Sequence, residues 1–344
     1  MKVKNLSVTA AGAMFSAFAL GMQAAHAHAG HSHSEPLSGL LPPISSSADS
    51  VLNSGSIFYG EPLPVGNGTF NSFVRLDDNG NPSDIGVTFS NATLSGLPNL
   101  SNSPSTFPFP TQFLYPPLPS EASATPFGDL ELLYFNDGHT PEEVPGYRDE
   151  HIDFSFYLPT FQERRSTICP NSPGNFQCAG EELERAVQRP APGAIPTGFE
   201  QVPPGSQFYA LAGAGTAFFD TTGSYPLEAA PFFGFSEGEM TFIDLLITNN
   251  FFQALNAQPN GGTFTTALAQ PAGFLYAKDG YYPTTYSVTA NGSGEYTVSL
   301  GGLTFRPTTP TSVPEHSSTL ALLAIGALGV VAQLRINRRK TGVS

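Results

Sequence analysis

The chain has 344 residues, with 14 Lys and Arg against 28 Asp and Glu and a formal net charge of −14. This acidity excludes a protein that binds nucleic acid or anionic lipid, because both partners need a basic surface. The chain contains 35 Gly and 32 Pro, which together stay below the level of low-complexity chains, so the composition indicates a globular, loop-rich protein.

The N-terminal residues have the pattern of a secretory signal peptide. Two lysines precede an apolar stretch over residues 6–25, and a small-x-small site ends at Ala27. A charged region, an apolar region and such a site together predict cleavage during export. Cleavage after Ala27 makes residues 1–27 the signal peptide, and cleavage after Ala29 is the alternative.

A flexible arm is predicted over residues 28–56, which are rich in His, Ser and Pro and show no apolar periodicity. His28, His31 and His33 lie close together in this arm, and signal-peptide cleavage would add a free α-amine beside them. Imidazoles at this spacing favour a borderline ion such as Zn²⁺, Cu²⁺ or Ni²⁺. The alternative is a polar arm without a ligand.

Residues 57–312 show the alternation and turn signals of one large β-rich domain. Residues 69–76 and 85–89 enclose an Asn-Gly turn, which predicts a hairpin. The expected fold is mainly β, with antiparallel sheets in a sandwich or barrel-like arrangement and a few short helices. A Pro- and Gly-rich stretch near residues 188–206 leaves open a division into two lobes. Further strands are predicted at residues 130–135, 208–219, 231–242, 273–277, 285–290 and 295–305.

The clearest strand pattern covers residues 152–158, where apolar and polar side chains alternate. His151, Asp153 and Ser155 share the polar face, and His139 lies in the preceding loop. Two imidazoles and a carboxylate form an N/O ligand set that suits a transition metal. The alternative is an exposed strand face on which His151 and Asp153 make ordinary hydrogen bonds.

The other local signals are a cysteine pair and two helices. Cys169 and Cys178 are close together, and an even pair in an exported chain predicts a disulfide. A metal site is the alternative, although the pair lacks the CxxC spacing of zinc sites. Residues 181–188 predict a short helix that ends before Pro190. Residues 243–257 predict a second helix, because leucines and phenylalanines recur at three- and four-residue steps.

The C-terminal residues 313–344 have the layout of a sorting segment. Pro314 and Glu315 precede an apolar run over residues 319–334, which a basic tip follows. The run is slightly shorter than the ~20 residues of an upright transmembrane helix, and flanking arginines can extend it by snorkelling. The layout resembles the PEP-CTERM tag, with His316 in place of the second proline. This resemblance implies that an exosortase-like protease, in addition to signal peptidase, is a partner. An ordinary membrane anchor is the alternative.

A second resemblance rests on the central motifs. Gly-His-Thr-Pro around His139 and the strand that begins at His151 resemble the exported TTHB210-like domain group. Ser155 stands where the strand of that group has a further histidine, and residues 211–216 lack a later one. With the arm and the tag, the chain is similar to a cyanobacterial PEP-CTERM group repressed by the zinc-uptake regulator, which implies a role in retaining zinc.

The function predicted first is an exported cell-envelope protein that binds a transition metal, with zinc as the leading ion, without catalysis. The sequence has no nucleophile elbow, His-Glu-x-x-His, phosphate loop or dinucleotide fingerprint. The predicted location is the periplasm, the outer surface or the extracellular space. One alternative is a structural surface or extracellular-matrix protein that associates with exported polysaccharide. The other is a metal-assisted enzyme that uses His139, His151 and Asp153.

Overall fold

Antiparallel strands dominate the part of the chain that the structure describes. This computed structural model describes residues 55–97, 112–139, 147–172, 177–206, 208–271, 273 and 276–308. The strands are β1 (Ser56–Tyr59), β2 (Leu63–Val65), β3 (Gly68–Leu76), β4 (Pro82–Ser90), β5 (Gln112–Leu114), β6 (Asp129–Phe135), β7 (His151–Tyr157), β8 (Phe199–Gln201), β9 (Thr216–Asp220), β10 (Ala229–Ser236), β11 (Glu239–Thr248), β12 (Gly262–Ala267), β13 (Gly280–Tyr282), β14 (Thr285–Ala290), β15 (Glu295–Gly301) and β16 (Thr304–Arg306). The helices are α1 (Asn91–Ser95), α2 (Phe161–Thr167), α3 (Gly180–Ala186) and α4 (Asn249–Asn256), with a 3₁₀ helix at Ser120–Ala124.

The first sheet has the strand order β1-β3-β4-β15-β14-β12, and β2 also pairs with β3. Strands β3 and β4 form the predicted hairpin. In its turn, Asp77 Oδ1 accepts hydrogen bonds from the backbone N–H groups of Asn79 at 2.9 Å and Asn81 at 2.8 Å. Gly80 has a φ of 82°, a left-handed conformation that glycine adopts without steric cost. The hairpin prediction is thus confirmed.

The second sheet has the order β5-β6-β7-β11-β10-β9-β8, and β13 pairs separately with β16. Strand β7 pairs with β6 on one side and with β11 on the other, so it lies inside the sheet. Both large sheets are open paths among the described strands. The mainly β prediction is confirmed, and the arrangement is not a closed barrel.

An aromatic core joins the two sheets. Phe89 of β4 stacks on Phe154 of β7 with ring centroids 5.9 Å apart, and Phe252 of α4 contacts Phe89 at 5.2 Å. Tyr286 of β14 donates its hydroxyl hydrogen to the Ala229 carbonyl of β10. Each large aromatic side chain buried in this way contributes about 1.5–3 kcal/mol. The core therefore determines which face of β7 points toward the first sheet.

The opposite face of the second sheet is covered by the described residues between β7 and β9, apart from β8, which belongs to the sheet itself. These residues are called the covering segment. Side chains alternate along a strand, so Asp153, Ser155 and Tyr157 point toward this cover. Val202 and Ala214 belong to the buried cluster that packs there with Tyr157. Asp153 is 6% exposed and Ser155 3% exposed, so the prediction of an exposed strand face is wrong. The covering segment excludes water from a face that the sequence pattern shows only as polar.

The helix predicted over residues 243–257 begins later than predicted. Residues up to Thr248 continue β11, which pairs with β7 and with β10. A short buried strand and a buried helix have the same continuous apolar pattern, which explains the error. The later half of the prediction is confirmed by α4. There the Thr248 side chain accepts a hydrogen bond from Phe251 N at 3.2 Å and so caps the helix.

The other local predictions agree with the structure to different degrees. Helix α3 confirms the helix predicted at residues 181–188, but the strand predicted at 208–219 begins only at Thr216. Residues 273, 276 and 277 do not lie in a strand. Helix α2 was not predicted, although Thr160 and Glu163 form a capping box at its start, a signal that is visible in the sequence.

The cysteine pair forms the predicted disulfide between Cys169 and Cys178. The bridge packs against Ile168, Ala186 and Ala210 within the covering segment. The backbone N–H of Cys178 donates to the Ala210 carbonyl at 3.0 Å, which ties the disulfide loop to the chain near the second sheet.

The predicted terminal segments lie outside the described residues. These are the signal peptide, most of the 28–56 arm with His28, His31 and His33, and the sorting segment with Pro314 and Glu315. Within the described ranges, no helix combines the length and the apolar character of a membrane span.

Candidate metal centre

Two neighbouring strands bring the predicted ligands together. His151 is the first residue of β7 and Asp153 the third, so their side chains leave the same face of the second sheet. His139 follows the end of β6 and is held by its backbone N–H, which donates to the Tyr147 carbonyl at 2.7 Å. Phe135, the last residue of β6, lies opposite His151 in the register of the two strands.

The three side chains converge at bonding distances. His139 Nε2 lies 3.1 Å from His151 Nε2, and His151 Nε2 lies 3.6 Å from Asp153 Oδ1. One ligand atom from each residue lies within 4.8 Å of the others. His139 and Asp153 are not neighbours in the sequence, so the tertiary fold brings them together.

A backbone hydrogen bond determines the tautomer of His151. His151 Nδ1 lies 2.6 Å from the Asp149 carbonyl oxygen, which can only accept a hydrogen bond. Nδ1 therefore carries the proton, and the neutral ring directs the lone pair of Nε2 toward His139 and Asp153. Histidines that bind metals almost always donate their other N–H in this way, which fixes the ring orientation.

The group is buried among aromatic rings. His151 is fully buried, and His139 and Asp153 are 5% and 6% exposed. The ring of Phe135 stacks on His151 with centroids 4.9 Å apart, and Phe208 meets the edge of His139 at 4.7 Å. These contacts hold both imidazoles in place.

Two polar atoms of the group have no hydrogen-bond partner in this environment. They are His139 Nδ1 and Asp153 Oδ1, both without exposed surface. An unsatisfied buried polar atom costs about 1–3 kcal/mol, and more when it is charged. Such atoms need an explanation, and a cation held between the three side chains supplies one for the carboxylate oxygen.

Burial controls the charge of each group. It lowers the pKa of His151 to about 4, and it lowers the pKa of His139 well below its usual value, with a further contribution from His151. Both imidazoles are therefore neutral at pH 7, the form that binds a metal. Burial also raises the pKa of Asp153 well above its usual value, and the nearby Asp244 carboxylate adds to this shift.

A second acidic group, missed by the sequence analysis, extends along the same face. Asp244 of β11 lies opposite Ser155 of β7, and Ser155 Oγ donates to Asp244 Oδ1 at 2.7 Å. Glu131 of β6 lies opposite Ser155 on the other side and pairs with Arg164 at 2.8 Å. A single acidic residue inside each apolar strand run, Glu131 and Asp244, was the signal that could have identified them.

A cavity of about 50 Å³ adjoins two of the three converging residues, His139 and Asp153. His139, Asp153 and Asp244 contribute to its wall on the side of the sheet. Most of the remaining wall is apolar and comes from β9, β10, β11 and the covering segment, including Phe208 and Phe232. A water molecule needs about 10–15 Å³ by this kind of measure, so the cavity has room for a few water molecules or a small ligand.

The donor set fits a divalent transition metal. Nitrogen ligands at about 2.0–2.1 Å from a tetrahedral zinc ion lie roughly 3.3 Å apart, close to the separation of the two imidazole nitrogens. Two imidazoles and one carboxylate also match sites that bind zinc, iron or other borderline ions. The group can therefore hold a metal ion, while its geometry alone does not select one element.

Comparisons of this chain with protein-family models, with curated proteins and with solved structures find no match.

Proposed function

We propose that this protein is an exported cell-envelope protein that binds a divalent transition metal, foremost zinc, through His139, His151 and Asp153. The observation that carries the proposal is the convergence of two neutral imidazoles and a buried carboxylate within 4.8 Å. The unpartnered oxygen of Asp153 supports it, because a bound cation would compensate the buried charge.

Zinc is the leading ion for two reasons. Imidazole and carboxylate donors suit zinc, and zinc accepts three protein ligands with an additional water or other small ligand. The resemblance to PEP-CTERM proteins repressed by the zinc-uptake regulator points to the same element. Binding without catalysis remains the leading proposal, with retention of zinc outside the cytoplasm as the biological role.

Export and C-terminal processing form a separate part of the proposal. The signal-peptide pattern at residues 1–27 and the Pro314-Glu315 motif before an apolar run support it. The disulfide between Cys169 and Cys178 is consistent with it, because disulfides persist in oxidising compartments. Intact mass of the protein recovered from the cell envelope would report both processing sites.

Elemental analysis of the full protein, after dialysis against zinc, tests the metal proposal. We expect about one zinc ion per chain at a tetrahedral-type site. His139→Ala and His151→Ala should each remove this ion. The matched variant replaces His28, His31 and His33 with alanine and should retain it, since the arm is a separate candidate site. Equal zinc content in the His151→Ala variant and the wild type would reject the strand site, whereas loss only in the arm variant would transfer the binding to the arm.

A metal-assisted enzyme is the second candidate function. The observation that favours it is the cavity beside His139 and Asp153, because catalytic zinc sites keep one coordination position open to a substrate or water. This candidate requires a substrate that fits the cavity, and it predicts turnover that is lost together with the bound metal.

A further inference from the structure

The apolar cavity beside the proposed metal site has a specific chemical character. Its wall includes two of those ligands, His139 and Asp153, so a molecule inside the cavity would lie against the metal position. The same wall presents Asp244, while Phe208, Leu211 and Phe232 form part of the apolar remainder. The cavity wall is therefore polar on the side of the metal ligands and apolar elsewhere.

The number of ligands leaves room for an external donor. Among the described residues, the metal-binding group comprises three side chains and no fourth histidine, cysteine or acid. Zinc and related ions usually take four or more ligands, and a site with three protein ligands completes its shell with water or a small molecule. The cavity is the space from which such a donor can approach both His139 and Asp153.

The charges of the wall restrict the donor. Asp153 and Asp244 are acceptors, and the hydroxyl hydrogen of Ser155 is already donated to Asp244 at 2.7 Å. An anionic ligand such as phosphate or a dicarboxylate would lie against these two acidic side chains, which repel it when they are ionised. A neutral hydroxyl-type group can direct a lone pair to the metal and donate its hydrogen to a carboxyl group of the wall.

We propose that the cavity binds a small neutral molecule with a hydroxyl or similar protic head on a short apolar body, with the head completing the metal coordination and the body lying against Phe208 and Phe232. The inference rests on the proposed metal site and names the class of ligand that this site would take. A volume of about 50 Å³ limits the ligand to a few non-hydrogen atoms.

Proton relaxation of 1-propanol in the presence of the metal-loaded full protein tests this inference. Cobalt(II) replaces zinc as a paramagnetic ion, and the zinc-loaded protein is the diamagnetic control. We expect faster relaxation with cobalt than with zinc, and a larger enhancement for the methylene protons beside the hydroxyl than for the methyl protons. Equal relaxation in the two metal forms, or a uniform effect along the molecule, would overturn the inference.

A cavity-filling variant provides the matched control. Ala217 of β9 lines the cavity and is not one of the three metal ligands, so Ala217→Leu should occupy the space and keep the ion. We expect the cobalt content to remain and the relaxation enhancement to be lost. Retained enhancement with retained cobalt would place the alcohol elsewhere and reject the inference. If Ala217→Leu fails to fold, Ala214→Leu fills the same cavity from the covering segment.

Metal content, measured on each sample by elemental analysis, separates the two levels of the proposal. Absence of cobalt from the wild-type protein would reject the metal function and this inference with it. Bound cobalt without an effect on 1-propanol would reject only the ligand proposal.

Discussion

Two buried polar clusters lie on the same face of the second sheet, and they differ in how their charges are compensated. In the Arg164 cluster, the guanidinium lies 2.8 Å from Glu131 and 2.9 Å from Asp129 and stacks over the Tyr157 ring at 3.9 Å. In the cluster of His139, His151 and Asp153, no cationic side chain pairs with the carboxylate, since burial keeps both imidazoles neutral at pH 7.

The difference indicates two roles for buried polar groups in one protein. A carboxylate that faces a guanidinium is an internal ion pair, which holds the covering segment onto the sheet through α2. Asp153 faces two neutral imidazoles, and burial raises its pKa well above the usual value; a metal ion would supply the positive charge that keeps this carboxyl ionised. The following variants break one cluster while leaving the other in place, beginning with the largest expected effect.

Arg164→Met should lower the free energy of unfolding by about 3–5 kcal/mol, because it leaves Glu131 buried without its partner. Denaturant unfolding measures this change. Arg165→Met is the matched control, since the neighbouring arginine is exposed and its replacement should change stability by no more than about 0.5 kcal/mol. Equal stabilities for the two variants would show that the Arg164 cluster does not hold the covering segment in place.

Zinc should stabilise the protein through the second cluster. At a free zinc concentration of about 100 times the dissociation constant, the free energy of unfolding should rise by about 2.7 kcal/mol. His151→Ala should abolish this increase, and alanine at His28, His31 and His33 should preserve it. Thermal unfolding with and without zinc gives the measurement, and a zinc effect that survives His151→Ala would contradict the assignment.

Removal of the disulfide should weaken the cover that lies over both clusters. The double variant Cys169→Ser and Cys178→Ser should lower the free energy of unfolding by roughly 2–3 kcal/mol, because it frees a short loop in the unfolded chain. Zinc content should stay unchanged, since the three ligands lie on or beside β6 and β7 and not in the disulfide loop. Loss of zinc in this variant would show instead that the cover is needed to form the site.

Asp153→Asn should have the smallest effect on the free energy of unfolding of the metal-free protein. Unlike the loss of an ion pair, it should not destabilise the fold. Burial raises the pKa of Asp153 and so favours its neutral acid in the metal-free protein; asparagine keeps this neutral state and the shape of the side chain, so stability in a chelator should not fall. Asp129→Asn is the matched change, and it should cost about 1.5–3 kcal/mol because Asp129 accepts a charge-assisted hydrogen bond from Arg164 Nε at 2.9 Å. A comparable loss for both variants, measured by denaturant unfolding, would remove the distinction between the clusters.

Local patterns predicted a substantial part of the fold. The alternation over residues 152–158 identified β7, the Asn79-Gly80 turn identified the first hairpin, and the spacing of Cys169 and Cys178 identified the disulfide. These features depend on neighbouring residues, and short-range backbone geometry is sufficient to define them. The helix over residues 243–257 was placed too early because β11 is buried between two layers, where strand and helix patterns coincide.

The candidate site was predicted only as a set of residue types. His139, His151 and Asp153 were named from the sequence, but the alternative of an exposed strand face remained open. The contribution of Asp244 was not foreseen, because β11 joins β7 across about ninety residues of sequence and no local pattern reports this pairing.

The sequence by itself determined the acidic character, the strand that carries His151 and Asp153, and the chemistry of the donors. Only the tertiary structure decided that this strand face is buried, that His139 reaches it, and that an apolar cavity adjoins it. The physical reason is that periodicity defines the two faces of a strand, whereas the charge state and the available partners of each face depend on the distant segments that cover it.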